Sequence, residues 1–278
     1  MIEVRRWSRS DTVPFLRVPT AADDKYSRGV VALRTGSDAY PGAAVLGVEA
    51  AWRAGAGFVR YVGEGRAADA VIARRPETVA ATDVGRTRVG AWVIGSGTAA
   101  ANRTEAERSA LVEILAGKAP VVVDAGALDL AGGTAAPTLI TPHGGEFARL
   151  MDRLRLGTAG DRTAQVAQAA VALDAIVLLK GAETLLAGPD GSVISVAAGT
   201  GWLATAGTGD VLAGILGALV AANPHAPLLE TAAAGAWLHG HAGYIAAGVP
   251  ESSGGHGHPI VAMDVAEALP AAVADLLS

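Results

Sequence analysis

Short apolar runs separated by longer helical patterns constrain this chain more than any other feature. The runs Val30–Leu33, Phe58–Val62, Ala91–Ile94, Val121–Val123, Leu139–Ile140 and Ile176–Leu179 are apolar throughout except for Arg60. Alternating apolar and polar residues would mark a sheet with one wet face. Unbroken apolar runs mark parallel strands covered on both faces. Helical patterns occupy Ala43–Ala54, Thr104–Leu115, Gly145–Leu154, Thr163–Leu173, Asp210–Ala221, Leu228–Ala246 and Val261–Leu277. That order predicts an α/β fold: a mainly parallel central sheet, right-handed crossovers, and helices on both faces. Thr184–Ala187 and Val193–Val196 flank Gly188-Pro189-Asp190-Gly191, which predicts a small antiparallel hairpin. With no linker, repeat or low-complexity segment, residues 1–278 read as one domain.

Composition narrows the function classes. The 278 residues suffice for one large α/β domain. A net charge of −5 argues against a nucleic-acid partner, which needs a concentrated basic face. The chain has no cysteine, which excludes disulfides and thiolate metal sites. Met1 to Arg17 lacks the apolar core of a signal peptide. The longest apolar run, Val211 to Ala222, is 12 residues with two glycines, too short to span a bilayer. The expectation is a soluble, cytoplasmic protein with no membrane or nucleic-acid partner.

Ligands of open parallel sheets bind beyond the carboxyl ends of the strands. The residues there are Thr35 to Ala44, Gly95-Ser96-Gly97-Thr98, Asp124-Ala125-Gly126, Thr141-Pro142-His143-Gly144-Gly145-Glu146 and Lys180-Gly181-Ala182-Glu183-Thr184. Each of these five strand ends carries small or polar groups, and all should open on one rim. Plainer readings exist for each. Gly95 and Gly97 also suit a tight turn, and Asp124 suits a helix cap. His143, between Pro142 and two glycines, belongs to a loop rather than a core. Lys180 ends an apolar run, where a charge is costly to bury without an anion; an ion pair with Glu183 and a surface position are its alternatives.

The stretch Gly207-Thr208-Gly209-Asp210-Val211-Leu212-Ala213-Gly214 is the most chemically informative. Glycine lets a backbone approach an anion, and N–H groups at a helix start point at it. Gly207, Thr208 and Gly209 therefore form a candidate anion nest. Asp210 at its mouth is a candidate base for a hydroxyl undergoing phosphorylation. The alternative is a glycine-rich turn with Asp210 as an ordinary N-cap.

Together these segments resemble the ADP- or ATP-dependent NAD(P)H-hydrate dehydratases of the ribokinase-like superfamily. The matching pieces run in family order. They are Tyr40-Pro41-Gly42-Ala43-Ala44-Val45-Leu46 with Arg53-Ala54-Gly55-Ala56-Gly57, Val123-Asp124-Ala125, Thr141-Pro142-His143 with Gly145-Glu146, Leu179-Lys180-Gly181-Ala182, and Ala204-Thr205 through Gly214. The resemblance implies a ribokinase-like fold and repair of NADH or NADPH hydrated on the nicotinamide ring, as the (6S) epimer. Asp210 would be the catalytic residue, with phosphorylation of the ring hydroxyl followed by loss of phosphate. The hydrated dinucleotide would meet Ala43, Gly97, His143 and Asp210. The adenine nucleotide would meet Lys180, Gly181, Ala182, Glu183, Thr184 and Gly209. A phosphoryl donor also implies Mg2+, for which Asp124 and Glu146 are the candidate carboxylates. An Ala- and Gly-rich, bacterial-looking composition favours ADP over ATP, with AMP and phosphate released. Family likeness suggests a homotetramer, and Ala232–Ala247 is one candidate subunit contact.

Many relatives carry an epimerase domain ahead of this one. Only about 25 residues precede the matching region, too few for such a domain. The expectation is an N-terminal extension over 1–24 and a stand-alone dehydratase, its epimerase on another chain. Three segments depart from the family pattern. Asp-Ala-Asp-x-Leu-Asn is Asp124-Ala125-Gly126-Ala127-Leu128-Asp129, His-Pro-Gly-Glu is His143-Gly144-Gly145-Glu146, and Gly-Asn-Pro-Gly-Met-Ala is Gly199-Thr200-Gly201-Trp202-Leu203-Ala204. Trp202 either packs over a substrate ring or covers its loop, the second being favoured. Ser252 to His258, with His256 and His258 two apart, reads as a solvated loop rather than a metal site. The competing functions are a small-molecule, vitamin-precursor kinase of the same fold and a catalytically silent nucleotide-binding subunit.

Overall fold

Strand and helix alternate as the apolar runs predict, in a computed structural model that describes residues 2–157, 161–249 and 255–278. The chain enters through β1 (Val4–Arg6) and a one-turn helix α1 (Arg9–Thr12), then runs through β2 (Val30–Arg34), α2 (Pro41–Arg53), β3 (Phe58–Val62), α3 (Gly65–Arg74) and β4 (Val79–Ala81). Next come β5 (Ala91–Ile94), α4 (Glu105–Leu115), β6 (Val121–Val123), β7 (Thr138–Ile140), α5 (Gly144–Arg153), α6 (Arg162–Leu173) and β8 (Ile176–Leu179). The hairpin of β9 (Thr184–Ala187) and β10 (Val193–Val196) precedes α7 (Thr208–Ala222), α8 (Leu228–Ala246) and α9 (Ala262–Leu277). Among the described residues, no helix is long and apolar enough to cross a membrane.

Among the described residues, ten strands join one sheet in the order β1-β10-β9-β8-β7-β6-β5-β2-β3-β4. Only β9 runs against its neighbours, antiparallel to both β8 and β10. The structure adds β1, β4, α1 and α3 to the expected elements. β1 pairs parallel with β10, Val4 opposite Val193, and the Trp7 N–H donates to the Ser195 carbonyl at 2.9 Å. The segment expected as an N-terminal extension thus supplies an edge strand. Its Arg5 and Arg6 carry no apolar signal because an edge strand need not be covered on both faces.

The sheet has two buried faces. Within β6, Val122 packs into one apolar cluster with α2, α7, α8 and α9, while Val121 and Val123 pack into the other with α4, α5 and α6. In β8, Ile176 and Leu178 face the first cluster and Val177 and Leu179 the second. This is the period-two alternation of a strand with both sides apolar. The first cluster depends on small residues. A Cβ on Gly214 of α7 would collide with the Gly47 carbonyl of α2, so the two helices touch backbone to backbone.

Such packing makes α8 a core helix: Ala232, Ala233, Ala234, Leu238 and Ala242 are completely buried within the chain. Most of the stretch expected as a subunit contact, Ala232–Ala247, is thus covered within the chain by α7 and α9, while Ile245 near its end stays exposed.

Candidate active site

The sheet order places a topological switch point between β2 and β5. From β2 the chain builds outward through β3 and β4, then returns to β5 and builds the other way. Loops leaving two such strands diverge and open a crevice at their carboxyl ends. Here they are pinned together at its floor. The Gly36 N–H donates to the Ser96 carbonyl at 2.7 Å, and the Ser37 hydroxyl donates to the Gly97 carbonyl at 2.9 Å. A Cβ on Gly97 would collide with the Ala43 side chain, so these two expected contacts touch each other.

The start of α7 faces the same crevice. Gly207 is its N-cap with φ 91°, a left-handed conformation that favours glycine. Asp210 is the third residue of the helix, not its cap, so the plain capping reading is set aside. The Thr208 hydroxyl lies 2.9 Å from the Leu203 carbonyl and 3.0 Å from that of Thr205. Its side chain ties down the preceding loop, leaving only its backbone N–H for an anion.

Asp124 is the hub of the polar groups. It is 3% exposed, yet three donors hold its carboxylate. The Ser96 hydroxyl donates to Oδ2 at 2.9 Å, while Thr141 Oγ1 and Lys180 Nζ donate to Oδ1 at 2.8 and 2.9 Å. This pairing answers two open questions: Asp124 makes no side-chain cap bond, and Lys180 pairs with Asp124 rather than with Glu183. Lys180 Nζ also lies 3.3 Å from where a Cβ on Gly209 would stand, so its charge abuts the anion nest. Burial and then the nearby Asp124 charge push the Asp210 carboxyl up to about 6, against the opposing pull of Lys180 and the Ser96 hydroxyl. At neutral pH Asp210 is ionised but unusually basic for a carboxylate, as a proton acceptor requires.

These groups line a cavity of about 630 Å3, a size that suits a nucleotide-scale ligand. Its wall includes Asp124, His143, Glu146, Lys180, Gly181, Ala182, Thr184, Gly207, Thr208, Gly209 and Asp210. Among the described residues, Glu183, Ala43 and Gly97 are not part of it. Glu183 is exposed beside it. His143 is the N-cap of α5, its Nδ1 accepting the Gly145 N–H at 3.0 Å, and its side chain is 57% exposed.

The metal expectation changes in character. Asp124 is committed to three donors, and Glu146 Oε2 accepts the His143 N–H at 2.8 Å in a capping box. Among the described residues, no three His, Asp or Glu side chains group to hold a metal. A protein cage is therefore not built here. The arrangement fits Mg2+ that keeps waters and travels with phosphates, which needs only one or two carboxylates nearby. The missing second carboxylate has a steric cause: a Cβ on Gly126 would collide with the Thr98 carbonyl. Trp202 covers its loop, with Nε1 donating to the His256 carbonyl at 2.6 Å. Ser252, Ser253 and Gly254 lie outside the described residues.

The sequence reading missed the part of two residues, Ser96 behind the cavity and His239 on its wall. Ser96 is a hydroxyl 1% exposed beside both carboxylates; its place after β5 was visible, its chemistry was not. His239 of α8 lines the cavity, and nothing in an Ala- and Gly-rich helix marked it.

Several known proteins resemble this chain in sequence or fold. The family model described as NAD(P)H-hydrate dehydratase matches residues 31–252. The bifunctional NAD(P)H-hydrate repair enzyme Nnr of Mycobacterium tuberculosis is 44% identical over 223 residues, 77% of this chain and 46% of that protein. The chain thus spans about half the length of that relative. An ADP-dependent (S)-NAD(P)H-hydrate dehydratase of Xanthomonas campestris is 34% identical over 227 residues, covering 72% of this chain and 74% of the relative. The crystal structure of an ADP/ATP-dependent NAD(P)H-hydrate dehydratase of Bacillus subtilis, co-crystallized with ATP/Mg2+, superposes with a TM-score of 0.84 at 26% identity. It covers 99% of this chain and all of that one. The ten-stranded sheet is the expected ribokinase-like fold, and with this fold, this crevice and these sequence matches the chain belongs to the NAD(P)H-hydrate dehydratase family.

Proposed function

We propose that this protein restores hydrated NADH or NADPH, as the (6S) epimer, to the reduced dinucleotide at the expense of ADP. Asp210 carries the reading: a carboxylate pushed up to about 6, at the start of a helix that offers free N–H groups, opposite Lys180. Hydroxide is a poor leaving group and phosphate a good one. Asp210 takes the proton of the ring hydroxyl as its oxygen attacks the terminal phosphorus of ADP. The bond from that phosphorus to AMP breaks. The ring C–O bond then breaks with the electron pair leaving on phosphate, and loss of a proton from the adjacent carbon restores the dihydropyridine.

The backbone from Gly207 to Gly209 and the Lys180 charge stabilise the group in transit, a contribution of about 3–4 kcal/mol per well-placed donor. Mg2+ bound with the nucleotide would neutralise phosphate charge, and Asp124 and Glu146 are the carboxylates able to orient its waters. His143, Ala43 and Gly97 are assigned to the dinucleotide, and Lys180 to Thr184 with Gly209 to the nucleotide, on the family resemblance.

The test is to incubate the protein with hydrated NADH, Mg2+ and either ADP or ATP, following reduced-nicotinamide absorbance with free phosphate. Recovered absorbance with stoichiometric phosphate, and AMP from ADP, supports the reading. A stable phosphorylated alcohol without phosphate release overturns it in favour of a kinase.

A further inference from the structure

The charges around the cavity are a poor match for the ligand proposed there. Its wall carries three carboxylates, Asp124, Glu146 and Asp210, with Glu183 exposed beside them. Among the described residues, Lys180 is the one lysine or arginine on that wall, and its Nζ is paired with Asp124. A nucleoside diphosphate adds negative charge of its own. Even with Mg2+ bound to it, its phosphates are held weakly by such a wall unless a further cation stands close.

That cation comes from the helix before β8. Arg162 is the first residue of α6, and α6 leads directly into β8, whose carboxyl end opens on the rim. Its guanidinium lies against the loop that leaves β8: the two terminal nitrogens are 3.4 and 3.7 Å from where a Cβ on Gly181 would stand. Gly181 is exposed and lines the cavity, so the guanidinium borders the mouth at a position with no side chain to screen it. Arg162 is itself exposed, and a ligand in the mouth can reach it. The neighbouring acid, Asp161, caps α6 by accepting the Ala164 N–H at 2.8 Å. Among the described residues, the Arg162 guanidinium has no hydrogen bond or ion pair. Arg149, the other arginine at this rim, has Nη1 3.8 Å from the Cβ position of Gly145, next to His143 and so on the side assigned to the dinucleotide.

We propose that Arg162 is a binding residue for the phosphoryl donor, its guanidinium pairing with phosphate oxygens of the nucleotide held along Lys180 to Thr184. A planar guanidinium offers a phosphate two parallel donors, which a point charge such as Lys180 does not. The inference rests on the proposed use of ADP. The test titrates ADP with Mg2+, at low and at high KCl and without hydrated dinucleotide, into the wild type and the Arg162→Gln, Arg162→Lys and Arg88→Gln variants. Arg88 is an exposed arginine just before β5, at the opposite end of the sheet, and controls for net charge. Arg162→Gln should bind ADP about 3–10-fold more weakly at low salt, with an unchanged melting temperature. The gap should narrow at high salt, where an exposed ion pair is screened. Arg162→Lys should recover part of the affinity, and Arg88→Gln should match the wild type. Wild-type affinity in Arg162→Gln overturns the proposal, and so does an equal loss in Arg88→Gln. A loss that high salt leaves unchanged also overturns it, because the side chain would then act by stacking or shape. A wild type that binds no ADP instead overturns the parent reading.

Discussion

Replacing Asp210 by Asn removes one charge and almost no volume, and the structure gives opposite signs for its effects on rate and stability. An amide cannot accept the hydroxyl proton, and loss of a general base costs about 10²–10⁴-fold in kcat. KM for the nucleotide should move only a few-fold, because Lys180 and the Gly207–Gly209 backbone remain. Stability follows from linkage. Folding raises the Asp210 carboxyl from 3.8 to about 6, so the native state holds the proton more tightly than the unfolded chain. The penalty for ionising it is absent below 3.8, grows as pH rises toward 6 and is complete above that. Two pH units correspond to about 3 kcal/mol; partial exposure of the side chain reduces this to about 2. Asp210→Asn should therefore be more stable than wild type by about 2 kcal/mol at pH 7.5, with the difference vanishing near pH 4. Urea unfolding at pH 4, 6 and 7.5, alongside steady-state kinetics, reads both effects. A variant less stable than wild type at pH 7.5, or one retaining over a tenth of kcat, would refute the reasoning.

Other consequences are open to the same measurements. The acid limb of kcat against pH should fall near 6, where Asp210 takes up a proton, and Ser96→Ala should move it upward by removing a donor that favours the ionised form. An unmoved limb would mean that another group titrates. Lys180→Ala removes the cation shared by Asp124 and the nest, so the ADP KM should rise at least ~10-fold and the melting temperature fall. Gly126→Asp, which restores the usual family carboxylate, should cost about 1–3 kcal/mol in thermal unfolding because its Cβ meets the Thr98 carbonyl. An unchanged melting temperature would show that the loop yields.

Much of the sheet was legible because its central strands are covered on both faces and read as apolar runs, broken only by Arg60 in β3. β1 and β4 were not: each is three residues long and lies at an edge, with a single neighbour. The α3 helix buries only Ala67 and Val71, too little apolar surface to stand out. The rim was legible from the rule that ligands gather past the strand ends. Partnerships across it were not, since Asp124 and Lys180 lie 56 residues apart and meet only because β6, β7 and β8 are neighbours. His239 escaped notice for a different reason. α8 is buried on nearly every side, so no polar face exists against which a histidine on the cavity wall would stand out.

The central claim is that the ring oxygen leaves as phosphate, and an isotope decides it. Hydrated NADH carrying 18O at the ring hydroxyl, turned over with unlabelled ADP and Mg2+, should give inorganic phosphate with one 18O per molecule and unlabelled water. Label appearing in water, with phosphate unlabelled, would contradict the account, because the oxygen would then have departed without being phosphorylated.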